Sequence, residues 1–302
     1  MHYRKIMLPT LALSCIGLSA CGGGGSSSSD TSTGAAATAS GGQVAGSAPA
    51  GPLSTGGNAQ IMVDASNKLA PIGAHELGVN MAVWYDVTSA GLLQEVQQLS
   101  PNIIRWPGGS TSDQYHWQQQ TECSIDSNGS YTANGAAYAP NSTFDNFMSD
   151  IVTPGGYDAA ITVAYGTNAA CTGGGDPAEA AAWVAYAKQK GYNQHIHYWT
   201  VGNEVFGGWE ADMHSTPHDG ATYAAAMAGS NGYYAQMKAA DPDAQVGAFA
   251  LAGDGYNNWD QTVLSQAQYD FVEFHWYPEQ PGLENDTTLL TQLPKVSLPT
   301  VQ

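Results

Sequence analysis

From residue 61 to residue 302, short apolar runs alternate with longer amphipathic or Ala-rich stretches. The apolar runs lie near 75–83 (HELGVNMAV), 102–106 (NIIRW), 158–165 (DAAITVAY), 195–203 (HIHYWTVGN), 244–250 (AQVGAFA) and 269–277 (YDFVEFHWY). Each has strand length. The stretches between them predict helices near 88–98, 143–151, 177–190, 219–240 and 259–267, with a last one beginning near Asp286. Pro177 sits where a helix-opening proline is tolerated, and Pro-Gly-Gly at 154–156 ends another helix. Such alternation predicts a parallel sheet, either doubly wound or closed into a barrel.

The pattern changes upstream. Arg4 and Lys5 precede a mostly apolar run from 6 to 16, too short to span a bilayer. Leu18-Ser19-Ala20-Cys21 follows, so 1–20 reads as a lipoprotein signal peptide with Cys21 as the lipidated residue. Residues 21–58 are Gly, Ser, Ala and Thr with almost no large apolar side chain, a flexible tether. The expected organisation is leader 1–20, linker 21–58 and one folded domain 59–302. The expected location is the cell envelope, at the outer membrane, or outside the cell. Membrane contact is expected only through the lipid anchor.

No G-x-G-x-x-G follows the first strand, and neither a P-loop nor a G-x-S-x-G elbow occurs. Polar and aromatic residues instead gather where strands end, at 80–84, 105–109, 203–209 and 275–277. That is where (β/α)8 barrels build their sites, so the prediction is an α/β chain with an incomplete (β/α)8 TIM barrel. About six units fill the folded part. An arc of six strands would leave two bare edges, and the sequence is expected to continue past Gln302.

Charge narrows the ligand class. The chain carries 8 Lys and Arg against 26 Asp and Glu, a net of −18. Loss of Arg4 and Lys5 with the leader leaves 6 cations and a net of −20. Nucleic acid and anionic lipid surfaces are bound through clustered Lys and Arg, so neither is expected as a partner. Neutral sugars remain open.

Three elements carry candidate chemistry. Asn203 and Glu204 end an apolar strand, YWTVGNE. A Glu desolvated there by Tyr198, Trp199 and Trp209 would hold a proton near neutral pH and could protonate a leaving oxygen. Arg105 is the sole Arg after the leader and lies inside NIIRWPGG. A guanidinium in an apolar strand needs an anionic partner, either a catalytic carboxylate that it orients or a structural one across the barrel. Glu273, His275 and Tyr277 share one strand face by alternation. Trp84, Trp106, Trp117, Trp209 and Trp276 fall near strand ends, as platforms for sugar rings or as core.

His195 and His197 flank Ile196 at the start of a strand, and His214 and His218 are spaced i, i+4 around Pro217. Neither pair has a completing ligand nearby in sequence, so no metal and no cofactor is expected. Cys123 and Cys171 remain after the leader is processed and are expected to pair in an oxidising compartment.

These segments resemble a known family. NIIRWPGG, YWTVGNEVFGGWE and FHWY are similar to the second, fourth and sixth strands of glycoside hydrolase clan A, retaining enzymes on a TIM barrel. Within the clan, HELGVNMAVW looks most like the first strand of family 51 α-L-arabinofuranosidases. The resemblance covers about 70–302. It implies Glu204 as acid/base, Asn203 on the hydroxyl beside the anomeric carbon and Arg105 holding the nucleophile. His275 and Tyr277 would line the subsite, with Asn80, Trp84 and Trp209 as further substrate-binding residues. The family's nucleophile is a second Glu at the end of a seventh strand, beyond the six read here. Glu273 lies one layer too deep to replace it. Two departures weaken arabinofuranoside specificity: Ser110 stands where Asn is usual, and His75 where a substrate-binding Glu is typical. The implied activity is hydrolysis of plant-polysaccharide glycosides with release of arabinofuranose. An endoglucanase or xylan-acting enzyme, or a non-catalytic glycan-binding lipoprotein, is the alternative.

Overall fold

The computed structural model describes residues 73–125, 130–133, 139–251, 255–275, 285 and 287. The leader with Cys21, the 21–58 tether, Trp276, Tyr277 and the helix expected near Asp286 lie outside the described residues.

In chain order the elements are β1 (Gly78–Asn80), α1 (Leu92–Leu99), β2 (Ile103–Trp106), β3 (Tyr115–His116), β4 (Thr121–Ile125) and β5 (Tyr131–Ala133). Next come α2 (Phe144–Asn146), a π-helical stretch Phe147–Val152, α3 (Thr153–Gly155), β6 (Asp158–Val163) and α4 (Pro177–Lys190). The remainder is β7 (Ile196–Val201), α5 (Gly220–Met227), α6 (Tyr233–Ala240), β8 (Gln245–Leu251), α7 (Trp259–Gln266) and β9 (Phe271–His275). Strands β1, β2, β6, β7, β8 and β9 form one sheet in that order, every pair parallel.

The sheet is curled. Arg105 in β2 and Glu273 in β9 are four strand spacings apart, roughly 19 Å in a flat sheet. Yet Arg105 Nε lies 2.9 Å from Glu273 Oε1. The six strands therefore wrap an interior, as part of an incomplete (β/α)8 barrel. Arg105, Thr200 and Glu273 meet inside it. The alternate residues Ile104, Trp106, Trp199 and Val201 are buried in the layer shared with the helices.

Helix α4 shows how the sequence builds this layer. Asp176 accepts from the Ala178 N–H, Pro177 opens the first turn, and Gly191 closes the helix in the left-handed region. Ala180, Trp183, Val184 and Ala187, at i, i+3, i+4 and i+7, are its buried face. Trp183 packs edge-on to Trp106 and Trp199. Trp106 is fully buried and Trp117 nearly so, which makes both core residues rather than sugar platforms.

Two features depart from the sequence reading. The stretch 219–240 is two helices, α5 and α6, because Gly229 adopts φ +83° and a Cβ on Gly232 would meet the Ala228 carbonyl oxygen at 2.3 Å. The second is a small antiparallel sheet, β3-β4-β5, inserted after β2. Cys123 in β4 is disulfide-bonded to Cys171 in the loop after β6, closing 48 residues.

Candidate active site

Strand β7 leaves the sheet through a kink. Gly202 has φ +77°, and a Cβ there would sit 2.9 Å from Val205 Cγ1. Glu204 follows with φ +48°, a conformation that costs a non-glycine residue of order 1 kcal/mol or more. The Gly-Asn-Glu sequence thus turns Asn203 and Glu204 over the C-terminal ends of the strands. Beneath the kink, buried Asp113 accepts the Asn203, Tyr165 and Gly166 N–H groups. Burial, and then the charge of Glu210, push the Asp113 carboxyl well above its ordinary value, against those three hydrogen bonds.

A cleft of about 520 Å³ opens there, lined by Asn80, Arg105, Gly109, Ser110, Asn203, Glu204, Phe274 and His275. Glu204 Oε1 accepts from His275 Nδ1 at 2.7 Å, and its Oε2 accepts from Trp209 Nε1 at 3.0 Å. His275 Nε2 lies 3.2 Å from Glu273 Oε1, so one imidazole bridges two carboxylates. Burial lowers the His275 pKa, but hydrogen bonds to Glu204 and Glu273 more than compensate, and the net shift is upward.

Arg105 fans across four elements. Its Nη1 donates to the Gly108 carbonyl at 2.7 Å and to Asn80 Oδ1 at 3.4 Å; its Nη2 donates to Asn203 Oδ1 at 2.9 Å. Its Nε is ion-paired with Glu273, whose Oε2 accepts from Thr200 Oγ1 at 2.5 Å. Burial alone would raise the Glu273 pKa. The His275 hydrogen bond, the Arg105 charge and Thr200 outweigh it and hold the carboxyl below its ordinary value.

Of the expected site residues, Asn80, Arg105, Asn203, Glu204 and His275 converge, and Trp209 joins through its indole N–H. Trp84 is half-exposed beside Gly108 and is not among the residues lining the cleft. Trp199 and Tyr198 do not shield Glu204: Trp199 faces Trp183, and Tyr198 hydrogen-bonds His75. His75 does not reach the cleft either. It stands before β1, bonded to Asp158 at the first residue of β6.

Sequence reading missed Glu210. It is 5% exposed, and its Oε1 accepts from Ser110 Oγ at 2.9 Å and Asn203 Nδ2 at 3.0 Å. Burial pushes its carboxyl up to about 7, with Glu204's charge adding and the Ser110 and Asn203 hydrogen bonds opposing. Its place in YWTVGNEVFGGWE, one short loop after Glu204, was the available signal. The sign of its linkage is fixed. The unfolded chain ionises Glu210 near 4.5 while the fold holds its proton to about 7, so stability falls as pH rises between them. Glu210→Gln is expected to shrink the loss of stability between pH 5 and pH 8 by up to about 3 kcal/mol. Chemical denaturation at the two pH values checks this, and an unchanged loss would refute it.

No protein-family model matches the chain, and no curated protein does. Solved structures do. A family 51 α-L-arabinofuranosidase from Bifidobacterium longum matches with TM-score 0.56 at 19% identity, over 80% of this chain and 52% of its own. A second arabinofuranosidase matches with TM-score 0.51 at 21% identity, over 72% of this chain and 49% of its own. The chain thus spans about half the length of the structures it matches. Likeness at this level identifies the architecture: six strands of an incomplete (β/α)8 barrel, the fold this chain shares with those arabinofuranosidases.

Proposed function

We propose that the protein is a glycoside hydrolase that cleaves plant-polysaccharide glycosides with retention, releasing arabinofuranose. The observation that carries this reading is the convergence of Glu204, Asn203, Arg105 and His275 in one cleft at the C-terminal ends of the strands. The shared fold with two arabinofuranosidases supports it.

Glu204 donates a proton to the leaving oxygen and takes one back from the attacking water in the second step. His275 Nδ1 and Trp209 Nε1 hold its two oxygens in place. Asn203, whose amide keeps one N–H and one lone pair beyond its contacts to Arg105 and Glu210, binds a ring hydroxyl. Two other carboxylates come near: Glu273 is committed to Arg105, Thr200 and His275, whereas Glu210 spends only Oε1, on Ser110 and Asn203, and its buried Oε2 has no hydrogen-bond partner among the described residues. By the resemblance to clan A, the nucleophile would be a second Glu at the end of the next strand of a complete barrel. The Cys123–Cys171 bond supports an oxidising compartment for the reaction.

A panel of 4-nitrophenyl glycosides with arabinan and xylan tests the reading. The expected outcome is turnover of the α-L-arabinofuranoside above the β-D-xyloside and β-D-glucoside. Preference for a β-glycoside would move the assignment to an endoglucanase or xylan-acting enzyme. Saturable glycan binding with no turnover would make the protein a binding lipoprotein.

A further inference from the structure

At the other end of the sheet, where the strands begin, three side chains with no part in the cleft converge. His75 Nε2 lies 2.7 Å from Asp158 Oδ2, and His197 Nε2 lies 3.0 Å from Asp158 Oδ1. The two imidazole centroids are 4.9 Å apart. One ligand atom from each residue falls within 4.8 Å of the other two.

Two independent details argue that this is built rather than incidental. The first is register. Ala159 pairs with Ile196 and Ala160 with Tyr198, so His197 is an extra residue opposite the β6 ladder. Bulges are rare in parallel pairs, and they serve to re-aim a side chain. Here the bulged residue is the one that reaches Asp158. The second is the outer partner of His75, whose Nδ1 lies 3.0 Å from the Tyr198 hydroxyl. As it stands, Nε2–H donates to Asp158 and Nδ1 accepts from the Tyr198 hydroxyl; an ion displacing the Nε2 proton would move the proton to Nδ1, which then donates to that hydroxyl and holds the ring in place.

We propose that His75, Asp158 and His197 bind a divalent first-row transition ion, with zinc as the reference metal. Two imidazole nitrogens and one carboxylate oxygen supply three positions of a tetrahedron, and water takes the fourth. Ligands about 2.0 Å from a tetrahedral zinc are roughly 3.3 Å apart; the two imidazole–carboxylate distances of 2.7 and 3.0 Å fall a few tenths short of that, and all three ligand atoms already lie within 4.8 Å of one another. Their side chains are 28%, 28% and 41% exposed, so the ion enters from solvent without unfolding. A chain of net charge −18 attracts cations to its surface. The ion clamps the segment before β1 to the starts of β6 and β7, at the foot of the barrel and away from the cleft.

The test is zinc titration of the chelator-treated full chain against a competing chromophoric chelator, alongside H197Q, H75Q and D158N. The wild type is expected to take up one more zinc per chain than each variant. Its melting temperature is expected to rise with zinc by roughly 5 °C or more, a rise the variants lack. His197 is the most exposed of the three, so H197Q is the variant chosen to fold, and its circular dichroism checks that. Equal zinc uptake by wild type and H197Q, or an equal thermal shift in both, would overturn the proposal and leave a hydrogen-bonded His–Asp–His cluster. Glycosidase turnover does not enter either readout, so this test and that of the proposed activity fail separately.

Discussion

With Glu204 as the proposed proton donor, Glu204→Gln is expected to lower kcat/KM for a glycoside with a poor leaving group by about 10²- to 10⁴-fold, the usual contribution of a positioned general acid. For an aryl glycoside whose phenol leaves readily, the same substitution lowers kcat/KM far less, because that oxygen departs without a proton. This contrast separates proton donation from damage to the site. Gln keeps the chain length, and its carbonyl oxygen still accepts from His275 Nδ1, while its NH2 replaces the oxygen that accepts from Trp209 Nε1. It also keeps the φ +48° backbone no worse strained than Glu does. A merely structural Glu204 would give equal losses on both substrates. That result, or no loss on either, would remove Glu204 from the proton-donor role.

How the site came to be readable follows from strand periodicity. Glu273 and His275 alternate on β9, and both point to the same interior, where His275 bridges Glu273 to Glu204. Alternation alone predicts the shared face. Arg105 was legible because a lone guanidinium in NIIRW has to find an anion. The anion it meets is Glu273, inside the barrel. The break between α5 and α6 was written as Gly229-Ser230-Asn231-Gly232, but Ala-rich flanks on both sides masked it. The inserted β3-β4-β5 sheet gave no period to read, since β3 is two residues and β5 three.

Long-range partnerships were the least legible. Asp113 lies 90 residues from Asn203, yet its carboxylate holds the Asn203 N–H under the kink. Nothing in STSD distinguishes that Asp from a solvated one. His75 and Asp158 are 83 residues apart, and the one-residue bulge that turns His197 toward them exists only once β6 and β7 are paired. A parallel barrel brings all its strand starts to one end and all its strand ends to the other. Sequence therefore reveals which residues sit at an end, while curvature and register decide which of them touch.

Arg105→Met is expected to cost about 3–5 kcal/mol of unfolding free energy, the usual penalty for stranding a buried charge. Both members of the pair are only 17% exposed, so solvent does little to screen the loss. The pH dependence identifies the cause. In the wild type the Glu273 carboxyl is held below its ordinary 4.5, so its contribution is present above that value and fades as pH falls below it. Without Arg105 the burial penalty is opposed only by His275 and Thr200, and the Glu273 pKa rises. The gap between wild type and variant is then widest where Glu273 is ionised in both and narrows as acid neutralises the stranded carboxyl. Urea denaturation at several pH values measures it, and a gap that is constant with pH would mean that lost packing, not lost charge, is responsible. Arg105→Lys sharpens the reading. An ammonium can still face Glu273, but a single point charge cannot also span Asn80, Gly108 and Asn203 as the guanidinium fork does. Stability should therefore recover in Arg105→Lys more than turnover does, because the ion pair holds the barrel interior while the fork holds Asn203 in the cleft.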